Sequence, residues 1–272
     1  MPRRRLTARS ADPRALYERS VQDPELDVRL LTRHFRRERG RAPLSLREDF
    51  CGTALLCADW IRSDRRRTAI GVDLDGETMA WGRERHFAPA NARGADGRRM
   101  RFMRRDVRRA SGRRDPRVDV ICAFNFSWCV FRSRARLLRY FERARAGLVR
   151  DGLLAIDIHG GADSLAPRKD EQRMGGFTYV WDQGPMDPIT HRTLRRIHFE
   201  FPDGTRIRDA YRYDWRVWML PETRDVLLDA GFRRVDVLWE LFDRRGEGSG
   251  VFRRAEHAFN EDSWVAYLLA WR

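Results

Sequence analysis

Residues 46–55 read Leu46-Arg47-Glu48-Asp49-Phe50-Cys51-Gly52-Thr53-Ala54-Leu55. The run Leu44–Phe50 has the length and apolar character of a strand, and Ala54–Ile61 follows with helical spacing. Only Cys51, Gly52 and Thr53 separate the two. A strand that passes through so tight a turn into a helix is the usual ligand corner of an open parallel sheet. A dinucleotide there needs glycines spaced G-x-G-x-x-G, so that backbone N–H groups can approach its pyrophosphate. Gly52 alone is present, and Glu48 and Asp49 put negative charge where the phosphates would sit. Both features count against NAD or FAD and favour a ligand with a positive end.

Outward from this corner the chain alternates. Strands are expected at Thr68–Asp73, Met100–Asp106, Val118–Phe124 and Gly152–Ile158. Helices are expected at Glu77–Phe87 and Arg134–Leu148, with a poor one over Arg108–Arg114. Such alternation implies a parallel sheet with helices on both faces. Upstream, Asp12 to Arg39 is helical in pattern, split by Pro24 and stopped at Gly40, while residues 1–12 read as a frayed basic lead-in. Past Gly160 the rhythm changes. Phe177–Asp182, Thr193–Phe201 and Arg206–Met219 read as strands, with Phe201-Pro202-Asp203-Gly204-Thr205 as a hairpin signal. A helix at Pro221–Ala230 follows, then a strand at Val235–Leu241, a glycine-rich loop at 245–250 and a strand at Ser263–Trp271. The expected fold is α/β: a seven-stranded, mostly parallel Rossmann-like sheet. An N-terminal helical cap would span 1–43, the core 44–161 and 219–272, and an antiparallel β insert 162–218.

The expected strand tips carry acids in order. Asp73 ends the second strand, 24 residues after Asp49, where a carboxylate can accept both hydroxyls of a ribose. Asp106, with Val107 behind it, ends the third and can accept from an adenine amine. Phe124 and Asn125 follow the fourth, where Phe124 offers an apolar wall. S-adenosylmethionine suits this set, because it carries a sulfonium, an ammonium and a carboxylate but no phosphate. Acids beside the first turn favour its cations, and N–H groups near Gly52 and Thr53 meet its carboxylate.

With these motifs in hand, the chain resembles class I S-adenosylmethionine-dependent methyltransferases, specifically bacterial members with a D-F-C-G-T first motif. The likeness covers about residues 15–272 and includes Tyr17-Glu18-Arg19-Ser20-Val21-Gln22 and Tyr213-Asp214-Trp215-Arg216. It implies that Glu48 takes the acidic place of the first motif, Gly52 the central glycine, Asp73 the ribose and Asp106 the adenine. Cys51, Leu74, Val107, Phe124 and Asn125 complete the implied cofactor set. Phe50 and Ala54 stand where the family pattern has glycine.

The acceptor side is less determined. His159, just past the fifth strand, reads either as a general base or as a hydrogen-bonded structural histidine. Tyr211, Tyr213 and Trp215 share one strand face, either an acceptor wall or packing between insert and sheet. Tyr17 and Trp128 join them as candidate pocket residues. The loop Gly246-Glu247-Gly248-Ser249-Gly250 reads as a lid or a mobile connection.

Composition narrows the classes further. The chain has 272 residues, 42% of them hydrophobic and nine of them Trp, which excludes wholesale disorder. No apolar run is long enough to span a membrane, and no apolar h-region follows Met1-Pro2-Arg3-Arg4-Arg5, so a cytoplasmic protein is expected. Cys51, Cys57, Cys122 and Cys129 lack paired C-x-x-C spacing, which disfavours disulfides and zinc; no metal is expected. The formal charge of +15 rests on 54 arginines against one lysine, Lys169. Either cation neutralises phosphate, so this imbalance reads as a coding bias, and a nucleic-acid partner is disfavoured. The expected activity is methyl transfer to nitrogen or oxygen of a small-molecule acceptor, with a homodimer left open. RNA or protein methylation and a non-catalytic cofactor-binding module are the alternatives.

Overall fold

A computed structural model describes residues 6–88, 95–242 and 248–272. Asp12 and Asp23 each precede a proline and accept a first-turn backbone N–H, so the first two helices start where cap and proline coincide. These are α1 (Pro13–Val21) and α2 (Pro24–Arg39). Gly40 ends α2 with φ at 67°, the left-handed conformation that glycine adopts without strain. The alternating region then supplies β1 (Ser45–Asp49), α3 (Leu55–Ser63), β2 (Thr68–Asp73), α4 (Gly76–Phe87), β3 (Met100–Arg104), β4 (Val118–Ala123), α5 (Arg134–Ala146) and β5 (Leu148–Gly160). β1 pairs in parallel with β2 and β4, β2 with β3, and β4 with β5. Between β3 and β4 the expected poor helix is a single 3-10 turn, Val107–Arg109. Arg108–Arg114 has no apolar stripe with which to hold a longer helix against the sheet.

The insert is β6 (Arg168–Met174), β7 (Phe177–Gln183), β8 (Arg192–Glu200) and β9 (Arg206–Arg216), a four-stranded antiparallel meander. The chain closes with α6 (Leu220–Asp229), β10 (Arg234–Phe242), β11 (Gly248–Arg254) and β12 (Trp264–Trp271). The main sheet has eight strands in the order β11-β10-β12-β5-β4-β1-β2-β3, one more than expected. The addition is β11, which takes Gly248, Ser249 and Gly250 out of the expected loop and pairs them antiparallel with β10. Gly246 and Glu247 lie outside the described residues. β12 is antiparallel to both of its neighbours.

Two apolar layers sandwich the sheet. Leu31 and Phe35 of α2 and Trp60 of α3 cover Leu46, Val120, Leu153 and Leu269 on one face. Tyr140 and Phe141 of α5 and Leu227 of α6 cover Ile121 and Leu154 on the other. Each such fully buried side chain contributes about 1.5–3 kcal/mol. A third cluster joins Leu16 of α1 to Phe177, Ile197 and Phe199 of the insert. Leu6 and Ala11 pack against it, and the Ala8 N–H donates to Thr205 Oγ1 at 2.9 Å. The described part of the expected frayed lead-in is thus tied to the insert. Among the described residues no helix is long and apolar enough to cross a membrane.

Strand order reverses between β1 and β4. A crevice therefore opens at the carboxyl ends of these strands, where the two crossovers diverge.

Candidate functional site

Successive side chains of β1 point to opposite faces, which separates the two acids of the first motif. Asp49 faces α5, where it accepts from Arg47 and from the Tyr140 hydroxyl, both at 3.0 Å, in a buried cluster. It is therefore not beside the ligand corner, contrary to expectation. Glu48 faces α3 and accepts the Cys57 N–H at 3.3 Å. Beyond it the turn is left-handed at Phe50, Gly52 and Ala54, with φ of 62°, 50° and 58°. The backbone thus keeps a glycine conformation at two positions that are not glycine. Cys51 is buried against Gly71, and burial raises its thiol pKa.

Asp73 braces the same turn. One carboxylate oxygen accepts the Gly52 N–H at 2.8 Å and the other the Asp75 N–H at 2.9 Å. The cap of α4 is Asp75, which leaves Asp73 at the crevice. A cleft of about 210 Å³ brings Asp73, Leu74, Asp106 and Val107 together with Phe50 and Phe131. Leu74 is 66% exposed at its rim, whereas Val107 is buried. Asp106 caps the 3-10 turn and pairs with Arg108, which holds its carboxyl below the usual range.

At the tip of β4, Asn125 and Phe126 are left-handed and their N–H groups donate to the Asp157 carboxylate of β5 at 2.7 and 2.9 Å. Phe124 packs edge-on against Tyr267, whose hydroxyl donates to Asp27 of α2 at 2.9 Å. Burial pushes the pKa of Asp27 up to about 7, and those of Glu48 and Asp157 up to about 8. The field of Asp27 raises the other two further, and among the described residues the hydrogen-bond partners of the three carboxyls are neutral: the Cys57, Asn125 and Phe126 N–H groups and the Tyr267 hydroxyl. Asp27 and Asp157 were not among the expected site residues. Asp157 had a signal, an acid inside the apolar strand Leu153–Ile158. Asp27 had none, because Glu25 and Asp27 look like the acids usual in the first turn of a helix.

The aromatic residues form the seam between α1, the insert and the main sheet. Tyr17 lies 4.7 Å from Tyr211, and Tyr213 stacks on Trp215 at 4.5 Å. Trp215 is buried against Phe126, so the shared face is packing at that end, while Tyr17, Tyr211 and Tyr213 stay half-buried. Trp128 is no pocket wall: it is fully buried and its indole N–H donates to the Asp157 carbonyl at 2.8 Å. His159 Nε2 lies 2.9 Å from Arg195. Burial, reinforced by that cation, lowers the histidine pKa to about 3. The expected role of base does not fit, because the guanidinium already occupies the basic lone pair.

No protein-family model matches this chain, and no curated protein matches it in sequence. Solved structures do match. A S-adenosylmethionine-dependent methyltransferase from Clostridium acetobutylicum superposes with a TM-score of 0.67 at 15% identity, over 93% of this chain and 96% of that one. An amino pentose methyltransferase from Micromonospora echinaspora, solved with SAM bound, gives 0.61 at 14% identity over 93% and 94%. The sugar N-methyltransferase of a Streptoalloteichus species gives 0.60 at 17% identity over 98% and 95%. The fold is a methyltransferase fold. In this methyltransferase sheet Glu48, Cys51, Gly52, Asp73, Leu74, Asp106, Val107, Phe124 and Asn125 all stand at or just beyond the carboxyl ends of β1 to β4.

Proposed function

We propose that the chain transfers the methyl group of S-adenosylmethionine to a nitrogen or oxygen of a small-molecule acceptor. One observation carries the reading: Glu48 and Asp157 are buried at the carboxyl ends of β1 and β5, on either side of β4, Asp27 reaches the same end through Tyr267, and among the described residues their hydrogen-bond partners are all neutral. Buried carboxyls without a counter-charge are costly. A sulfonium and an ammonium are the charges they lack. In this reading the ribose lies on Asp73, the adenine lies between Leu74 and Val107 with its amine on Asp106, and the methionine part follows Glu48, Cys51, Gly52, Phe124 and Asn125. The acceptor lone pair forms a bond to the methyl carbon as the carbon–sulfur bond breaks. The electron pair passes to sulfur, and the acceptor releases a proton. Alignment and proximity are the main contributions the protein makes to such a displacement.

The cap over 1–43 and the insert over 162–218 are proposed to enclose the acceptor, with Tyr17, Tyr211 and Tyr213 at their seam. Sugar and amino pentose methyltransferases among the similar structures favour an amine of modest size. Calorimetric titration with S-adenosylmethionine, its demethylated product and NAD tests the reading. Micromolar binding of the first two alone is expected, and no binding of either would defeat it. A second reading, methylation of RNA, draws support from an open groove of about 1190 Å³ along α2 lined by Arg29, Arg33, Arg36, Arg37, Arg66 and Arg67. Binding of tRNA that falls steeply with salt would favour it.

A further inference from the structure

Arg195 is a buried charge that the proposed reaction does not use. It projects from β8 of the insert, is 2% exposed, and donates to His159 Nε2 and to the Ser164 carbonyl, both at 2.9 Å. Its guanidinium carbon lies 5.7 and 5.9 Å from the ring centres of Trp181 and Trp215, and no carboxylate appears among the groups acting on it. A guanidinium has donors and no acceptor. His159 Nε2 must therefore be the lone-pair nitrogen, and in a neutral imidazole the proton must sit on Nδ1. No protein group among the described residues accepts from that Nδ1. His159 is two residues past Asp157 on β5 and shares its face of the strand, while Phe126 covers one side of the ring at 4.6 Å.

We infer that Arg195 fixes His159 as a neutral imidazole whose Nδ1–H selects acceptors bearing an oxygen lone pair, a hydroxyl or carboxylate, beside the methylated atom. The inference rests on methyl transfer at this site. His159 then contributes specificity rather than proton removal, and Arg195 is a positioning residue that makes this property depend on the docked insert. Arg195 is the one charge among the described residues that acts on His159.

Nitrogen-15 NMR of histidine in the full chain tests the first half. The Nδ1–H tautomer is expected to persist unchanged from pH 5 to pH 8. In Arg195→Gln, which keeps a donor but removes the charge, the His159 pKa should rise only part of the way, because burial is the larger cause of its lowering. In Arg195→Met, which removes both, the two tautomers should mix. An Nε2–H tautomer in the parent protein, or titration near pH 6.5, overturns the inference. The rest of the spectrum reports whether each variant is folded.

The second half uses three probes on the S-adenosylmethionine-loaded protein: 2-aminocyclohexanol, 2-aminocyclohexanecarboxylate and cyclohexylamine. The hydroxyl or the carboxylate compound should bind at least about tenfold more tightly than cyclohexylamine and shift the Nδ1–H resonance. Which of the two does so identifies the oxygen. His159→Asn should retain the preference and His159→Leu lose it. Equal binding of all three, or no response of Nδ1–H to any, overturns the donor role. Failure to load S-adenosylmethionine would instead defeat the methyl-transfer reading and leave the tautomer result standing.

Discussion

Left-handed backbone costs an L-residue about 1–2 kcal/mol, and the first-motif turn asks it of Phe50 and Ala54. Phe50 recovers part of this through rings of Phe131 and Tyr140, each 6.0 Å away. Ala54 has only a buried methyl. Ala54→Gly should therefore leave stability within about 1 kcal/mol of the parent, since the relieved strain offsets about 0.8 kcal/mol of lost methyl burial. Ala58→Gly, equally buried but inside α3, has no strain to relieve and adds a helix penalty, so about 2 kcal/mol should be lost. Urea unfolding of the two variants checks this, and equal losses would mean the turn is unstrained. At Asp73 the expectation concerns binding. Asp73→Ala should weaken S-adenosylmethionine tenfold to about 150-fold, or about 1.5–3 kcal/mol, and an unchanged Kd in a folded variant removes the ribose assignment. Glu48 and Asp49 show how far charge alone misleads at this scale. Strand parity allows only one of two adjacent residues to face a ligand; of the partners that claim Asp49, Arg47 stands two residues back on the same face of β1, and Tyr140 is visible only once α5 is in place.

Helix α4 passes the first-motif turn so closely that a Cβ on Gly82 would lie 2.0 Å from the Thr53 carbonyl oxygen. Backbone cannot yield as a flexible side chain does. Gly82→Ala should push α4 off the turn, cost about 1–3 kcal/mol, and weaken S-adenosylmethionine although residue 82 touches no ligand in the proposed site. Thermal melts paired with calorimetry check both effects, and an unchanged Kd would show that the turn does not depend on α4. At the junction of α1 with the insert, Leu16→Ala removes the contact that α1 makes with Phe177, Ile197 and Phe199. It should cost about 2–5 kcal/mol in thermal unfolding. The elements that sequence reading found share one property: their burial leaves a hydrophobic period. β2, β4 and β5 contain the apolar runs Ala69–Val72, Val120–Ala123 and Leu153–Ile156, β1 and β2 end in acids, and the α2 stripe Val28, Leu31, Phe35 is equally plain. The missed strands lack that property. β6 reads Arg-Lys-Asp-Glu-Gln-Arg-Met and β11 Gly-Ser-Gly-Val-Phe-Arg-Arg, and each is a sheet edge held by backbone pairing to one neighbour. Asp27 was illegible for a related reason, since its partner Tyr267 is 240 residues away and no local pattern announces the meeting.

The whole molecule holds its site in a protonated state that a cationic ligand must change. Asp27, Glu48 and Asp157 have pKa values of about 7, 8 and 8 in the folded protein, against ordinary values of 3.8, 4.5 and 3.8. Between those limits the native state binds more protons than the unfolded chain, so these groups make stability fall as pH rises, with the fall complete about one unit above pH 8. His34 and His159 have lowered pKa values and act in the opposite direction, but only below their ordinary value near 6.5. From pH 7 to pH 8 the carboxyls therefore act alone among these groups, and the free protein should lose stability over that interval. A sulfonium set among them favours their ionised forms. S-adenosylmethionine should consequently bind more tightly at pH 8 than at pH 6 and release on the order of one proton at pH 7. It should also raise the melting temperature more at pH 8 than at pH 6, where more of the carboxyls keep their protons. Calorimetry in two buffers of different ionisation enthalpy measures the proton release directly. Affinity independent of pH, with no proton released, would place the cation away from Asp27, Glu48 and Asp157 and take from the proposed function the observation on which it stands.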